Sequence, residues 1–258
     1  MPPPPRGPVP KTPGELDAMA AAGAVLAACH DALAAEVAVG VTTAHLDAVA
    51  EEFIRSRGGV PAFKGYPGPT PFPGSICASL NDEVVHGFPR DEPLREGDVF
   101  SLDVGVVLDG WVADAARTHG VGEVTPVARR LIDVTRAALE RGIGACRAGG
   151  RVGDIGHAVQ AEVEAAGFSV VRSLVGHGVG RSMHEEPQVP NYGEPGTGVE
   201  LEEGVVIAIE PMVNAGGHEV TLDEDGWTVR TRDGSLSAHW EHTVAVTADG
   251  PRILTVVA

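Results

Sequence analysis

Positive charge is scarce in this 258-residue chain: 19 lysines and arginines stand against 36 aspartates and glutamates, a formal net charge of −17. A surface of that sign repels phosphate, which excludes direct nucleic-acid binding as a principal role. Cysteine is scarce too. Cys29, Cys77 and Cys146 are too few and too scattered for a disulfide framework or a zinc knuckle. No run of 18 or more apolar residues occurs, so no membrane span is expected. The opening MPPPPRGPVPKT lacks an apolar core and does not read as a secretory signal. What is present is a hydrophobic content of 43%, enough to bury a real core in one large domain or two small ones. A soluble, acidic, cytoplasmic globular protein is expected.

Residues 1–11 are proline-rich and are expected to form a disordered tail, with a single ordered domain over 12–258. Thr12-Pro13-Gly14-Glu15 is a capping box with proline at the first helical position, and the helix it starts is expected to reach about Val39, before Gly40. A second helix is predicted from Thr43 to Arg57. Strands follow at Val99–Val107 and Trp111–Gly120, flanking Asp109-Gly110, a strong two-residue hairpin signal.

The pattern then begins again. Thr125-Pro126 opens a helix towards Gly149-Gly150, Gly153–Ala166 reads as another, and strands fill the remainder. The ten residues from Leu94 to Asp103 match those from Leu201 to Glu210 as L-x-E-G-x-V-x-x-[LI]-[DE], and each segment is preceded by a His-Gly pair, His86-Gly87 and His177-Gly178. Agreement of all these elements in order implies two pseudo-equivalent α+β halves, about 12–124 and 125–258, sharing one sheet.

With a two-residue turn at Asp109-Gly110, Asp114 faces Gly105 and Asp103 faces Ala116. Asp103 and Asp114 are then diagonal neighbours on one face, about 7–8 Å apart at Cα. On the hairpin alone, two solvated surface acids are an equal reading. Further along, Glu210 ends the apolar run Val205–Ile209, Glu241 lies within Ala238–Val244, and His177 sits in Gly176-His177-Gly178-Val179-Gly180. Four carboxylates in apolar strands with one glycine-flanked imidazole fit a two-metal hydrolytic site, for Mn, Fe, Co or Zn ions.

Asn81–Gly87, Leu102-Asp103-Val104, Ala113-Asp114, Gly176–Gly180 with His184–Pro187, Ile209–Met212 and Glu241-His242-Thr243 together resemble the type I methionine aminopeptidases, over roughly residues 11–258. The resemblance implies the pita-bread α/β fold, with helices outside a curved, mainly antiparallel sheet. It implies Asp103 and Asp114 on one metal ion and Asp114, His177, Glu210 and Glu241 on the other, with Asp114 and Glu241 bridging. By the same resemblance Glu210 relays the proton, His184 donates to the carbonyl oxygen, and His86 faces the scissile nitrogen or the substrate amine.

Phe63, Tyr66, Phe72, Cys77, Met183 and Trp227 would line the methionine pocket, and cysteine at position 77 resembles type I rather than type II. Ala115, Ala116, Ala208, His239 and Trp240 depart from the family pattern, at positions behind the ligands. His30, His45, His119, His157 and His218 read as surface or locally satisfied imidazoles, and His242 as a support of the sheet. The implied function is removal of initiator methionine from nascent chains with a small second residue, by a monomer with a possible ribosomal contact. A proline-specific exopeptidase and a non-catalytic binding paralogue are the alternatives.

Overall fold

In the computed structural model, which describes residues 7–257, four helices begin where side chains satisfy their first amides. At the start of α1 (Pro13–Glu36) the Glu15 carboxylate accepts from the Thr12 amide and hydroxyl, each at 2.9 Å. The Thr42 and Thr125 hydroxyls accept from the His45 and Ala128 amides to open α2 (Thr43–Ser56) and α3 (Pro126–Ala145). α4 (Val152–Ala165) follows Arg151, whose amide donates to Asp154. The helix ends differ from expectation. α1 stops before Val39 because the Gly40 amide donates to Leu94 O and the Leu94 amide to Val41 O. α3 stops before Gly149, whose amide donates to Leu201 O. Tertiary partners claim the backbone before a glycine ends the helix.

Residues 1–6 of the expected tail lie outside the described residues. At its inner end the expected disorder does not hold. Lys11 is buried; its amide donates to Gly204 O at 2.7 Å and its ammonium pairs with Glu185 at 2.8 Å. A buried lysine needs such a counter-charge, and a proline-rich sequence carries no sign of a partner so distant in the chain.

Asp109 and Gly110 both take positive φ, 50° and 75°, as a two-residue hairpin turn requires. The strands Val99–Leu108 and Trp111–Gly120 accordingly pair with Asp103 opposite Ala116 and Gly105 opposite Asp114. α1 and α2 cover this hairpin, with Leu26, Leu33, Leu46 and Ile54 packed on Phe100, Leu102, Val104 and Val106. In the second half α3 and α4 cover Val206–Ile209 and His242–Thr247 through Leu139, Ile143 and Ile155. By length and composition alone α1 is apolar enough to cross a membrane, which a search for an unbroken apolar run overlooks. Its apolar residues serve here as core: Met19, Ala22, Leu26, Cys29 and Leu33 are fully buried.

Every strand pairing among the described residues is antiparallel, and the curved sheet is divided into four hydrogen-bonded segments. Between the Trp111–Gly120 strand and the strands after Leu236, two threonines close the seam. The Thr243 hydroxyl accepts from the Asp114 amide at 3.0 Å and donates to the Asp114 carbonyl at 2.7 Å. The Thr118 hydroxyl does the same for the His239 amide and carbonyl, at 2.9 and 2.7 Å, and the Glu241 amide donates to Ala116 O. The chain ends cross over as well. Lys11 binds the second half, while Leu254 packs so closely on α1 that a Cβ at Gly23 would run into its carbonyl, and Arg252 pairs with Asp17 at 3.0 Å.

The seam sets a testable cost. Thr243→Val keeps the shape of the side chain and strands a buried amide and carbonyl, so denaturant unfolding should reveal a loss of about 2–4 kcal/mol. Thr243→Ser should retain most of the stability. A valine variant as stable as the parent would show that the two hydroxyl bonds contribute nothing.

Candidate metal centre and substrate cavity

Asp103 and Asp114 point into the interior from the hairpin, 9% and 5% exposed, and Glu241, 2% exposed, reaches them across the seam. Glu241 occupies the break between the strands Ser237–His239 and His242–Thr247, where its amide donation to Ala116 fixes the backbone. Glu210 follows Ile209 at a strand end, its carbonyl held by Asn191 Nδ2 at 3.0 Å. Oδ1 of Asp103, Oδ1 of Asp114 and Oε1 of Glu241 are buried with no hydrogen-bond partner.

His177 faces the same point. Its Nε2 lies 3.9 Å from Asp114 Oδ2 and 3.6 Å from Glu210 Oε1. The flanking glycines have a steric reason, since a Cβ at Gly176 or Gly178 would run into the carbonyl of Ala208 or Glu186. His177 Nδ1 lies 3.0 Å from Gly178 O; donation there places the ring proton on Nδ1 and turns the Nε2 lone pair towards the acids. Asp114, His177 and Glu241 each offer a donor atom within 4.8 Å of the others.

Burial raises every acid in the group. Asp114 is pushed up to about 7; Asp103, Glu210 and Glu241 are raised well above the usual carboxylate range, chiefly by burial and then by the neighbouring negative charges. Burial also pushes the His177 imidazolium down to about 4, so the ring is neutral near neutrality. Unpartnered buried carboxylate oxygens, mutually raised pKa values and a neutral imidazole offering its lone pair form a donor set that fits divalent cations.

Against this cluster opens a cavity of about 110 Å³, lined by all six residues expected for the pocket and by Val85. Phe63, Phe72, Cys77 and Met183 are buried, with Tyr66 and Trp227 packed against them. Phe72 stands edge-on to both Phe63 and Trp227, at 6.4 and 5.3 Å between ring centres. Trp227 is clamped by the proline- and glycine-rich loop: its indole N–H donates to Thr70 O at 2.9 Å, and a Cβ at Gly68 would strike its ring. Gly105 keeps the wall open, since a Cβ there would lie 2.9 Å from Phe63 and 3.0 Å from Met183.

Three further imidazoles line the cavity, His184, His86 and His239. The Tyr66 hydroxyl lies 2.7 Å from His184 Nδ1. His86 has φ +61°, a strained value for a residue with a side chain, and the surrounding bonds over-determine it. The Gly87 amide donates to Ser79 Oγ and its carbonyl accepts from Ala78. The buried Glu83 carboxylate accepts from the Leu80 amide and from both Arg90 and Arg230, at 2.6–2.8 Å. Burial pushes His86 down to about 4.

All thirteen residues singled out in the sequence as metal, catalytic or pocket residues therefore meet around one cavity. Two features carried no signal in the sequence, and a third was misplaced. Val85 and the Glu83–Arg90–Arg230 network carried no motif, although Glu83 falls within the quoted Asn81–Gly87 segment. His239, placed behind the ligands by the sequence comparison, presents Nε2 within 4 Å of Glu210 and Glu241. Its place two residues before Glu241 was the available signal. Of the histidines read as bland, His30 Nε2 donates to Ala115 O in the core and His45 pairs with Glu36 at the surface, while His242, read as a support of the sheet, meets Thr255.

A model of metallopeptidase family M24 matches residues 17–248. The methionine aminopeptidase of Clostridium perfringens is 49% identical over 247 residues, covering 96% of this chain and 98% of that protein. Methionine aminopeptidase 1 of Mycobacterium tuberculosis is 50% identical, with 94% and 93% covered. The crystal structure of methionine aminopeptidase from Rickettsia prowazekii superposes with a TM-score of 0.94 at 45% identity, over 96% of this chain and all of that one. The prolidase from Pyrococcus horikoshii gives 0.76 at 19% identity and covers 97% and 64%, a likeness of fold alone. The architecture is the pita-bread fold.

The raised acid pKa values make a pH prediction. An acid with a raised pKa retains its proton at lower pH, and a cation must expel it to bind. Calorimetry at pH 6 should register proton release on adding Mn(II) to ion-free protein, with affinity rising with pH through about 7, where Asp114 titrates. A binding heat independent of buffer ionisation enthalpy would count against the carboxylate cluster as the binding site.

Proposed function

Because the chain belongs to metallopeptidase family M24, we propose that it is a metal-dependent aminopeptidase that removes the initiator methionine from nascent proteins whose second residue is small. The observation that carries this reading is the junction of an apolar, aromatic cavity with the buried acid and imidazole cluster. The cavity suits one unbranched thioether side chain, which gains contact with aromatic rings.

Two divalent ions would be held by Asp103 and Asp114 on one side and by Asp114, His177, Glu210 and Glu241 on the other, with Asp114 and Glu241 serving both. When bound, such ions act as Lewis acids and lower the pKa of a shared water, so that hydroxide is available near neutrality. The chain's own groups do the rest. Glu210 takes a proton during attack and hands it to the leaving amine. Donation from the Tyr66 hydroxyl to His184 Nδ1 leaves the ring proton on Nε2, where it meets the carbonyl oxygen as charge develops. His86, neutral and fixed by its left-handed backbone, faces the scissile nitrogen or the substrate amine. The rings of Phe63, Tyr66, Phe72 and Trp227, with Cys77 and Met183, enclose the methionine side chain.

Cobalt, manganese, iron and zinc all suit oxygen donors with one imidazole. We further propose that it acts in the cytoplasm as a monomer beside the ribosome, without direct contact with nucleic acid or membrane.

Ion-stripped protein supplied with Mn(II) or Co(II) should release methionine from Met-Ala-Ser and leave Leu-Ala-Ser and Ala-Pro-Ala intact. Cleavage of Ala-Pro-Ala alone would assign the chain to the proline-specific branch, and silence on all three with metal bound would leave a binding paralogue. His184→Ala should lower kcat by about 10²- to 10³-fold. Tyr66→Phe, which leaves the His184 tautomer unfixed, should lower kcat less and leave KM nearly unchanged; equal kcat for Tyr66→Phe and parent would remove the tautomer role.

A further inference from the structure

Glu210 lies between two imidazoles. His177 Nε2 is 3.6 Å from one carboxylate oxygen, and His239 Nε2 is 3.8 Å from the other. The same His239 nitrogen is 3.9 Å from Glu241 Oε2. His239 is 2% exposed and its Nε2 is buried with no hydrogen-bond partner. The backbone of His239 is pinned by the Thr118 hydroxyl on both its amide and its carbonyl and by pairing with Met212. The ring therefore adjusts only by side-chain rotation, towards or away from the two carboxylates.

The protonation state follows from the surroundings. A neutral imidazole carries one N–H and one lone pair, and the buried Nε2 faces only the two acids. Once a cation has ionised Glu210 and Glu241, a lone pair on Nε2 would be repelled by both carboxylates, whereas an N–H is attracted to them. His177 is the opposite case, because Gly178 O draws its proton to Nδ1. Two imidazoles thus flank one carboxylate with opposite polarity, a lone pair on one side and a proton on the other.

We infer that His239 is a positioning residue whose Nε2–H occupies the gap between Glu210 and Glu241 and fixes which carboxylate oxygens are left for the ions. The inference rests on the reading of those two acids as metal ligands. It requires only a small closing of the 3.8 and 3.9 Å separations to hydrogen-bond length, and it leaves the five ligands unchanged. A group that orients ligating carboxylates in this way acts on ion affinity before it acts on turnover.

The test compares the ion-free parent with His239→Leu and His239→Gln by Mn(II) calorimetry, and separately records the imidazole nitrogens of the ¹⁵N-labelled parent with and without Zn(II). His239→Leu, which lacks a donor, should bind Mn(II) about 10- to 100-fold more weakly. His239→Gln, whose amide N–H replaces the donor, should recover most of that loss. In the Zn(II)-loaded parent the His239 Nε2 should carry its proton, a reading that needs no variant to fold. Unchanged Mn(II) affinity in a folded His239→Leu would overturn the inference. So would an unprotonated Nε2 whose resonance shifts as a metal-bound nitrogen when Zn(II) is added, which would make His239 a ligand. Failure of the parent itself to bind Mn(II) would be distinct, and would remove the metal reading on which the inference rests.

Discussion

Mutual repulsion among buried acids governs the centre of this molecule. Asp103, Asp114, Glu210 and Glu241 converge where water is excluded, and the hydrogen bonds around them go mainly to backbone groups rather than to carboxylate oxygens. Without a cation such a cluster resists ionisation, as its raised pKa values record. The surrounding architecture maintains this arrangement. Glycines beside His177 admit carbonyls that no side chain would tolerate, and a carbonyl selects the tautomer of that ring. The threonine seam holds one pair of acids against the other. Local stability is given up at the one place where a cation would restore it.

Around the acids the polarity changes abruptly. On one side are unpartnered oxygens; on the other are Phe63, Phe72 and Trp227, packed edge to face. His184 and His86 stand at the boundary, each oriented by a neighbour that is not itself charged: the Tyr66 hydroxyl in one case, a left-handed backbone in the other. An apolar wall beside the acids strengthens every electrostatic interaction in the cavity and selects the side chain that enters it.

Much of this was legible in the sequence where the controlling physics is local. Asp109-Gly110 dictates a turn, the turn dictates a register, and the register sets Asp103 and Asp114 on one face. Helix starts were readable because Thr12, Thr42 and Thr125 sit beside the amides they serve. Helix ends were not, because Leu94 and Leu201, far along the chain, take over the backbone of residues 40 and 149. The same distance hid Lys11, whose counter-charge is Glu185, and the apolar α1, whose alanines become core only against a hairpin some seventy positions away. The acids and His177 were found through their apolar and glycine contexts and through family motifs. His239 belongs to no motif, and its significance lies in a distance between strands.

A duplicated fold invites the picture of two lobes hinged about a cleft, with the active groups meeting when the lobes close. The crossed chain ends tie the two halves together instead. Lys11, ahead of the first helix, is locked into the second half at Gly204 and Glu185, while Arg252 and Leu254 return to the first half against Asp17 and Gly23. Neither half can swing away without tearing out an end of the other. The acids and imidazoles already converge on one cavity without any movement of the halves, as preorganisation requires. Selectivity then falls to the outline of the aromatic cavity, a sieve rather than a clamp.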